Sequence, residues 1–87
     1  SSYTTRFKNK YKLSSYSLSS IAKATGIPLK ALQEVKKKGM GAYYSAGSRP
    51  NTTAIQWAMA RVYSYILGGG ARRVDKAITE KYNVKFS

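Results

Sequence analysis

Several residue types that build reactive sites are missing or scarce in this 87-residue chain. It has no cysteine and no histidine, which excludes disulfides, thiolate chemistry and the commonest metal ligand and general base. The acidic residues number three and are scattered along the chain: Glu34, Asp75 and Glu80. With so few candidates for acid–base work or metal binding, we expect no enzyme, no metal or other cofactor and no small-molecule substrate.

Long apolar runs are missing too. No stretch approaches the roughly 18 apolar residues that a membrane-spanning helix needs. No apolar segment of the signal-peptide type opens the sequence. We therefore expect neither a transmembrane segment nor secretion.

Positive charge is what the sequence has in excess. Its 16 lysines and arginines give a formal net charge of +13. Such an imbalance is self-repelling in a compact state, so it indicates a polyanionic partner. Nucleic acid is the first candidate, and an anionic membrane surface is the second.

Residues 53–67 form the most apolar and best bounded segment, which we predict to be the core helix. Thr53 and Gln56 stand in the register of a capping box, and Gly68 follows where a left-handed C-cap favours glycine. The apolar positions recur at spacings of three and four: Ile55, Ala58, Met59, Val62, Tyr63, Ile66 and Leu67.

The other segments complete an all-α fold, which we predict to be a small bundle of about four helices with an extended basic N-terminal arm. We divide the chain into the arm at 1–16, a single helical domain at 17–82 and a short tail at 83–87. The predicted helices are 17–25, 28–38, 53–67 and 71–81.

Glycine and proline set most of these boundaries. Gly26 supplies a turn and Pro28 restarts the chain as a helix. Gly39 follows three lysines and is typical of a helix stop. Residues 39–52 then form a predicted connector without regular structure, which is long for a compact domain.

In the last helix we expect Val74, Ala77 and Ile78 to face inward. Asp75 lacks an acid–base partner, so it is expected to form a structural ion pair with Arg72 or Arg61.

The second and third predicted segments also have the spacing of a helix-turn-helix. A small residue, a glycine four later and three apolar residues occupy its packing positions: Ala22, Gly26, Ile27, Leu32 and Val35. If this pair reads DNA, Lys30 and Gln33 would reach base edges or phosphates. The alternative is a plain packing unit.

The N-terminal arm alternates in character. In an extended chain, Arg6, Lys8, Lys10 and Lys12 lie on one side and the aromatic residues on the other. This pattern predicts an arm that follows a phosphate backbone. The alternative is a frayed terminus whose aromatic residues cover the domain.

The connector offers a second place for phosphate. Its glycines permit a close backbone approach, Tyr43 and Tyr44 offer rings for stacking, and Arg49 offers a forked cation. The alternative is that the tyrosines and Pro50 hold the loop against the core.

Four motifs resemble a known family. They are Gly-x-Gly-Ala-Tyr at 39–43, Gly-Ser-Arg-Pro at 47–50, Gln-Trp-Ala-x-Ala-Arg-Val-Tyr at 56–63 and Asp-Lys at 75–76. As a set they are similar to small basic domains of large DNA viruses and phages, and among these to the dinoflagellate/viral nucleoprotein family. The resemblance implies a histone substitute that coats and compacts DNA, in the virion or in the host nucleus during infection.

We therefore expect a DNA-binding nucleoprotein that contacts backbone phosphates largely without sequence specificity. The alternative is a minor capsid or cement protein of a large DNA virus, whose partners are capsid proteins and whose two ends clip onto neighbours. The candidate nucleic-acid-binding residues are Arg6, Lys8, Lys10, Lys12, Lys30, Gln33, Lys36, Lys37, Lys38, Tyr43, Tyr44, Arg49, Arg72 and Arg73.

Overall fold

A computed structural model describes residues 2–47 and 51–86, and all the regular structure in these ranges is helical. The predicted all-α class is therefore confirmed. The described ranges hold six helices, where the sequence predicted about four: α1 (Ser2–Lys10), α2 (Leu18–Thr25), α3 (Leu29–Ser45), α4 (Ala54–Leu67), α5 (Gly70–Val74) and α6 (Lys76–Lys81).

The central helix α4 begins and ends as predicted. Thr53 Oγ1 accepts the Gln56 N–H at 3.1 Å, and Gln56 Oε1 accepts the Thr53 N–H at 3.0 Å, so the capping box forms. Gly68 ends the helix with φ 82°, in the left-handed region that glycine adopts without a steric penalty.

The predicted apolar stripe of α4 is mostly buried. Its central residues lie in the core, whereas Ile55 at the first turn remains 58% exposed. Tyr65 lies outside the predicted stripe and is nonetheless fully buried, because its ring contacts Phe86 and its hydroxyl bonds Thr79 Oγ1 at 2.7 Å. The C-terminal segment thus buries the side of α4 that carries Tyr65, which the sequence analysis had not predicted to be buried.

Helix α3 runs seven residues past its predicted end at Lys38, so the predicted stop at Gly39 was wrong. Gly39 is buried in the middle of the helix, where α3 crosses α4. A Cβ atom at position 39 would lie 2.9 Å from the Cα atom of Ala58. The glycine therefore serves close helix packing rather than termination, and residues 39–45 of the predicted connector are helical.

The extended N-terminal arm was also a wrong prediction, because residues 2–10 form α1. Phe7 is fully buried, with its ring centroid 4.6 Å from that of Tyr63 on α4 and 4.8 Å from that of Tyr11. Phe7 and Tyr11 are four residues apart and therefore share a face of a helix. A nine-residue helix is marginal alone, so this packing against α4 is what stabilises α1.

Helices α2 and α3 meet through a three-residue turn at 26–28. Ser17 caps α2 by accepting the Ser20 N–H at 3.3 Å, and Gly26 adopts the predicted left-handed conformation with φ 75°. The apolar side chains around the turn are buried in the core: Ile21, Ile27, Leu32 and Val35.

The last predicted helix, 71–81, is broken at Asp75 into α5 and α6. Asp75 is 2% exposed and accepts from Arg61 Nε at 2.9 Å and Arg61 Nη2 at 2.6 Å. Arg61 is thus its partner, one of the two that the sequence allowed. Ile78 faces the core as predicted, but Val74 is 70% exposed and Ala77 is also exposed, so the inward orientation predicted for these two residues was wrong.

Candidate nucleic-acid interface

Each of the three side-chain carboxylates already has a cationic partner within the chain. Asp75 is bound by Arg61, and Glu34 accepts from Lys81 Nζ at 2.9 Å. Glu80 lies 4.0 Å from Lys76 in an exposed pair one helical turn apart. Most of the other cations in the described residues are exposed and have no carboxylate partner.

Glu34 is held by two donors, because Tyr82 Oη donates to the same Oε2 atom as Lys81. These hydrogen bonds, that of Tyr82 first, lower the pKa of Glu34 below its usual 4.5. The same contacts raise the pKa of Lys81 and the pKa of Tyr82. Glu34 is therefore charged at neutral pH and is satisfied by α6 and the residue after it.

The outward side of α3 presents four of the predicted residues together. We define the α3 outer face as Lys30, Gln33, Lys37 and Tyr44, all exposed. Their spacings of three, four and seven place them on one side of a helix, opposite the buried side that packs on α4. Tyr44 is 69% exposed, so its ring is accessible for stacking.

Lysines flank this face on both sides. Lys36 is half-buried on one flank, and Lys38 is exposed on the other. Lys37 and Lys38, with Glu34 and Lys81, line an open cleft of about 590 Å³ between α3 and α6. A phosphate in this cleft would meet three ammonium groups, and the single carboxylate there is already bonded.

The cations of α1 form a separate group. Helix α1 packs on α4 rather than on α3. Arg6, Lys8 and Lys10 are exposed, and each lies over a tyrosine ring, with centroid distances of 5.2, 5.0 and 5.4 Å. Lys12 is exposed in the segment after α1. The structure thus replaces one cationic edge of an extended arm with charges spread over a short helix.

Two of the predicted residues are engaged inside the molecule. Tyr43 is 8% exposed, and its hydroxyl donates to the Thr52 carbonyl at 3.0 Å, so it holds the end of the connector against the core. Arg72 donates from Nε to the Tyr65 carbonyl at 3.1 Å and from Nη2 to the Ile66 carbonyl at 2.6 Å. Its guanidinium therefore caps α4 and is not available to a phosphate in this arrangement.

The two remaining predicted residues are the arginines at 49 and 73. Arg73 is exposed on α5. Arg49 and Pro50 lie outside the described residues.

The sequence analysis did not predict that Lys81 lines the cleft between α3 and α6. Lys81 lies 47 residues from Glu34 along the chain, and only the packing of α6 on α3 brings them together. No local spacing in the sequence signals such a contact.

The described ranges lack two further kinds of site. No three acidic side chains lie close enough together there to hold a metal ion. No helix in residues 2–47 and 51–86 has both the length and the apolar character required to cross a bilayer.

Comparison with known proteins gives one positive result. No curated protein and no solved structure shows a significant match to the sequence. Residues 1–84 match a family described as a family of unknown function (DUF5824), and the chain belongs to that family.

Proposed function

We propose that the domain binds duplex DNA through its phosphate backbone, largely without sequence specificity. One observation carries this proposal: all three side-chain carboxylates are paired with cations of the same chain, while the α3 outer face offers two lysines, an amide and an exposed tyrosine. A surface with this excess of cations attracts a polyanion over long range and releases its counterions on contact.

The finer proposal is that α2 and α3 act as a helix-turn-helix with α3 as the helix nearest the DNA. The tight turn at Gly26 and the buried Ile27, Leu32 and Val35 support it. From Lys30 to Tyr44 the outer face extends about 21 Å at 1.5 Å per residue, and a helix fits a major groove about 12 Å wide. Lys37 would contact phosphate, and Gln33 would contact phosphate or a base edge.

Salt dependence tests the mechanism. With roughly 6–10 phosphate contacts, the affinity for duplex DNA should fall about 10³–10⁵-fold between 50 and 200 mM salt. The double variant Lys30→Ala/Lys37→Ala should reduce the slope of log K against log salt by about two, because each lost phosphate contact removes about one. A matched control, Lys76→Ala/Lys85→Ala, removes the same charge from exposed side chains that are not part of the α3 outer face.

The control variant should keep nearly the wild-type slope. Equal slopes and affinities for the two double variants would show that net charge alone, and not the α3 outer face, binds the DNA. A flat response of the wild-type protein to salt would refute the phosphate mechanism itself.

The alternative of a minor capsid or cement protein is less well supported. It relied on two ends that clip onto neighbouring subunits. In the described residues, Phe7 of α1 and Val84 of the tail are buried in the core of their own chain. Ordered, symmetric copies in a capsid map would favour the capsid protein, whereas copies within the genome density would favour DNA binding in the virion.

A further inference from the structure

An apolar groove runs over the side of the molecule formed by α1, α4 and α5. It consists of two adjoining depressions that share Trp57 and Ala60 as walls. The larger, of about 710 Å³, reaches Ile55 on α4 and Lys8 on α1. The smaller, of about 260 Å³, reaches Val74 on α5. We call this surface the Trp57 groove.

The two ends of the Trp57 groove expose aliphatic side chains. Ile55 is 58% exposed and Val74 is 70% exposed, and both line the groove. Exposed apolar side chains gathered at one concave surface mark an interaction site, because their burial removes apolar area from water. The occupant must therefore bring an apolar face.

The rim of the groove is cationic. Lys8 lines the larger depression, whereas Arg61 in the smaller one is already paired with Asp75. The Arg6 guanidinium lies over the ring of Tyr3, which also lines the smaller depression. Among the described residues, no Asp or Glu lines either one, since Asp75 is buried beneath Arg61. The complementary occupant is therefore anionic at its edges.

Charge and chemistry restrict what this occupant is. A second copy of the chain carries the same +13 and has only three carboxylates, each already paired, so it would be repelled. A nucleic acid satisfies the cations, but its phosphates gain nothing from aliphatic side chains such as Ile55 and Val74. A protein helix with one apolar face and flanking carboxylates meets both requirements.

We propose that the Trp57 groove binds an acidic amphipathic helix of a partner protein. Its aliphatic side chains would pack between Ile55 and Val74, and its carboxylates would face Lys8 and Arg6. This surface is separate from the α3 outer face, so the proposal does not rest on DNA binding.

Model peptides test the chemistry of the occupant. The probe is an 18-residue peptide with leucine along one helical face and glutamate along the other. One control peptide replaces each glutamate by lysine, and another scrambles the sequence so that no apolar face forms. Trp57 is the single tryptophan of the chain, so its fluorescence reports the groove selectively, and calorimetry gives a second readout.

The acidic amphipathic peptide should bind at least about tenfold more tightly than either control, a difference of about 1.4 kcal/mol. Equal binding of the lysine peptide would overturn the proposed anionic occupant. Equal binding of the scrambled peptide would show mere attraction to net charge and would overturn the groove. No binding of the acidic peptide by either readout would overturn the proposal as well.

Variants of the protein test whether the peptide binds at the Trp57 groove. Ile55→Ser/Val74→Ser changes only exposed side chains, so the fold should persist, and peptide affinity should fall at least about tenfold while DNA affinity is unchanged. The control Tyr44→Ser removes an exposed side chain on α3 and should leave peptide affinity intact. The proposal fails if the double variant binds the peptide normally, or if that variant abolishes a self-association of the wild-type protein.

Discussion

Two glycines of α3 provide a sharp test of how the helices pack, because they share a helix and differ in surroundings. Gly39 is buried at the crossing with α4, where a Cβ atom would lie 2.9 Å from Ala58 Cα, 3.2 Å from Ala58 Cβ and 3.4 Å from Arg61 Cδ. Gly41 is exposed, and a Cβ atom there would meet nothing within 4 Å. Both are interior helical positions, so alanine gains the same intrinsic propensity at each.

The expected effects have opposite signs. At Gly41 the propensity gain alone should stabilise the fold by about 0.5–1 kcal/mol. At Gly39 the nearest atom is backbone, so α4 must move, and overpacking of this kind costs roughly 2–3 kcal/mol. Subtracting the propensity gain of about 1 kcal/mol leaves Gly39→Ala destabilised by about 1–2 kcal/mol.

Thermal unfolding followed by circular dichroism measures the difference. In a domain of this size 1 kcal/mol corresponds to about 4–8 °C in Tm, and the two variants differ by about 1.5–3 kcal/mol, so Gly39→Ala should melt roughly 6–24 °C below Gly41→Ala. Urea unfolding should give the same order, with unchanged m-values. If the two variants were equally stable, α3 would not cross α4 at Gly39, and the helix would end near the stop that the sequence suggests.

Two further predictions concern α1 and the contact of α3 with α6. Phe7→Ala should cost about 3–5 kcal/mol in urea unfolding, because it empties a fully buried ring site against Tyr63. Arg6→Ala, at the neighbouring exposed position, should change the free energy of unfolding by no more than about 0.5 kcal/mol. Equal stability of these two variants would show that residues 2–10 form a free arm and do not pack on α4. The bonded Glu34 has a lowered pKa in the folded state, so its contribution is present above its usual value of 4.5 and is lost as the pH falls through the folded value. The difference in unfolding free energy between the wild-type protein and Glu34→Gln should therefore shrink as the pH falls below about 4.5, and a constant difference would mean that Tyr82 and Lys81 do not hold this carboxylate.

The parts of the fold that depend on local chemistry could be predicted from the sequence. The capping box at Thr53, the left-handed turns at Gly26 and Gly68, and the apolar stripe of α4 follow from spacing and residue type. For Asp75 the sequence left two ion-pair partners open, Arg72 and Arg61, and the structure shows that the partner is Arg61.

The parts of the fold that depend on tertiary contacts could not be predicted from the sequence. Gly39 after three lysines has the pattern of a helix end, and only Ala58 on another helix explains why it is interior. Residues 2–10 alternate like a strand, and burial of Phe7 against Tyr63 makes them helical. The short α1 has too few hydrogen bonds to form by itself, so no local signal could predict it.

The candidate site divides in the same way. The residues of the α3 outer face are close in sequence, so helical spacing alone groups Lys30, Gln33 and Lys37. Arg72 and its neighbour Arg73 carry the same charge, and the sequence predicts that both face outward. In the structure, however, Arg72 bonds the carbonyl groups at the end of α4. A cation that caps a helix can be told from one that meets solvent only when the packing is known.

Burial of Tyr65 under later parts of the chain sets an order for biosynthesis. Arg72, Thr79 and Phe86, which cover it, all follow α4. A ribosome releases α4 before these residues, so the nascent chain presents an uncovered aromatic side of this helix until position 86 has emerged. Completion of the core therefore waits until residue 86 has left the ribosome, and a chain stalled within α5 is a natural client for chaperones that bind exposed apolar helices.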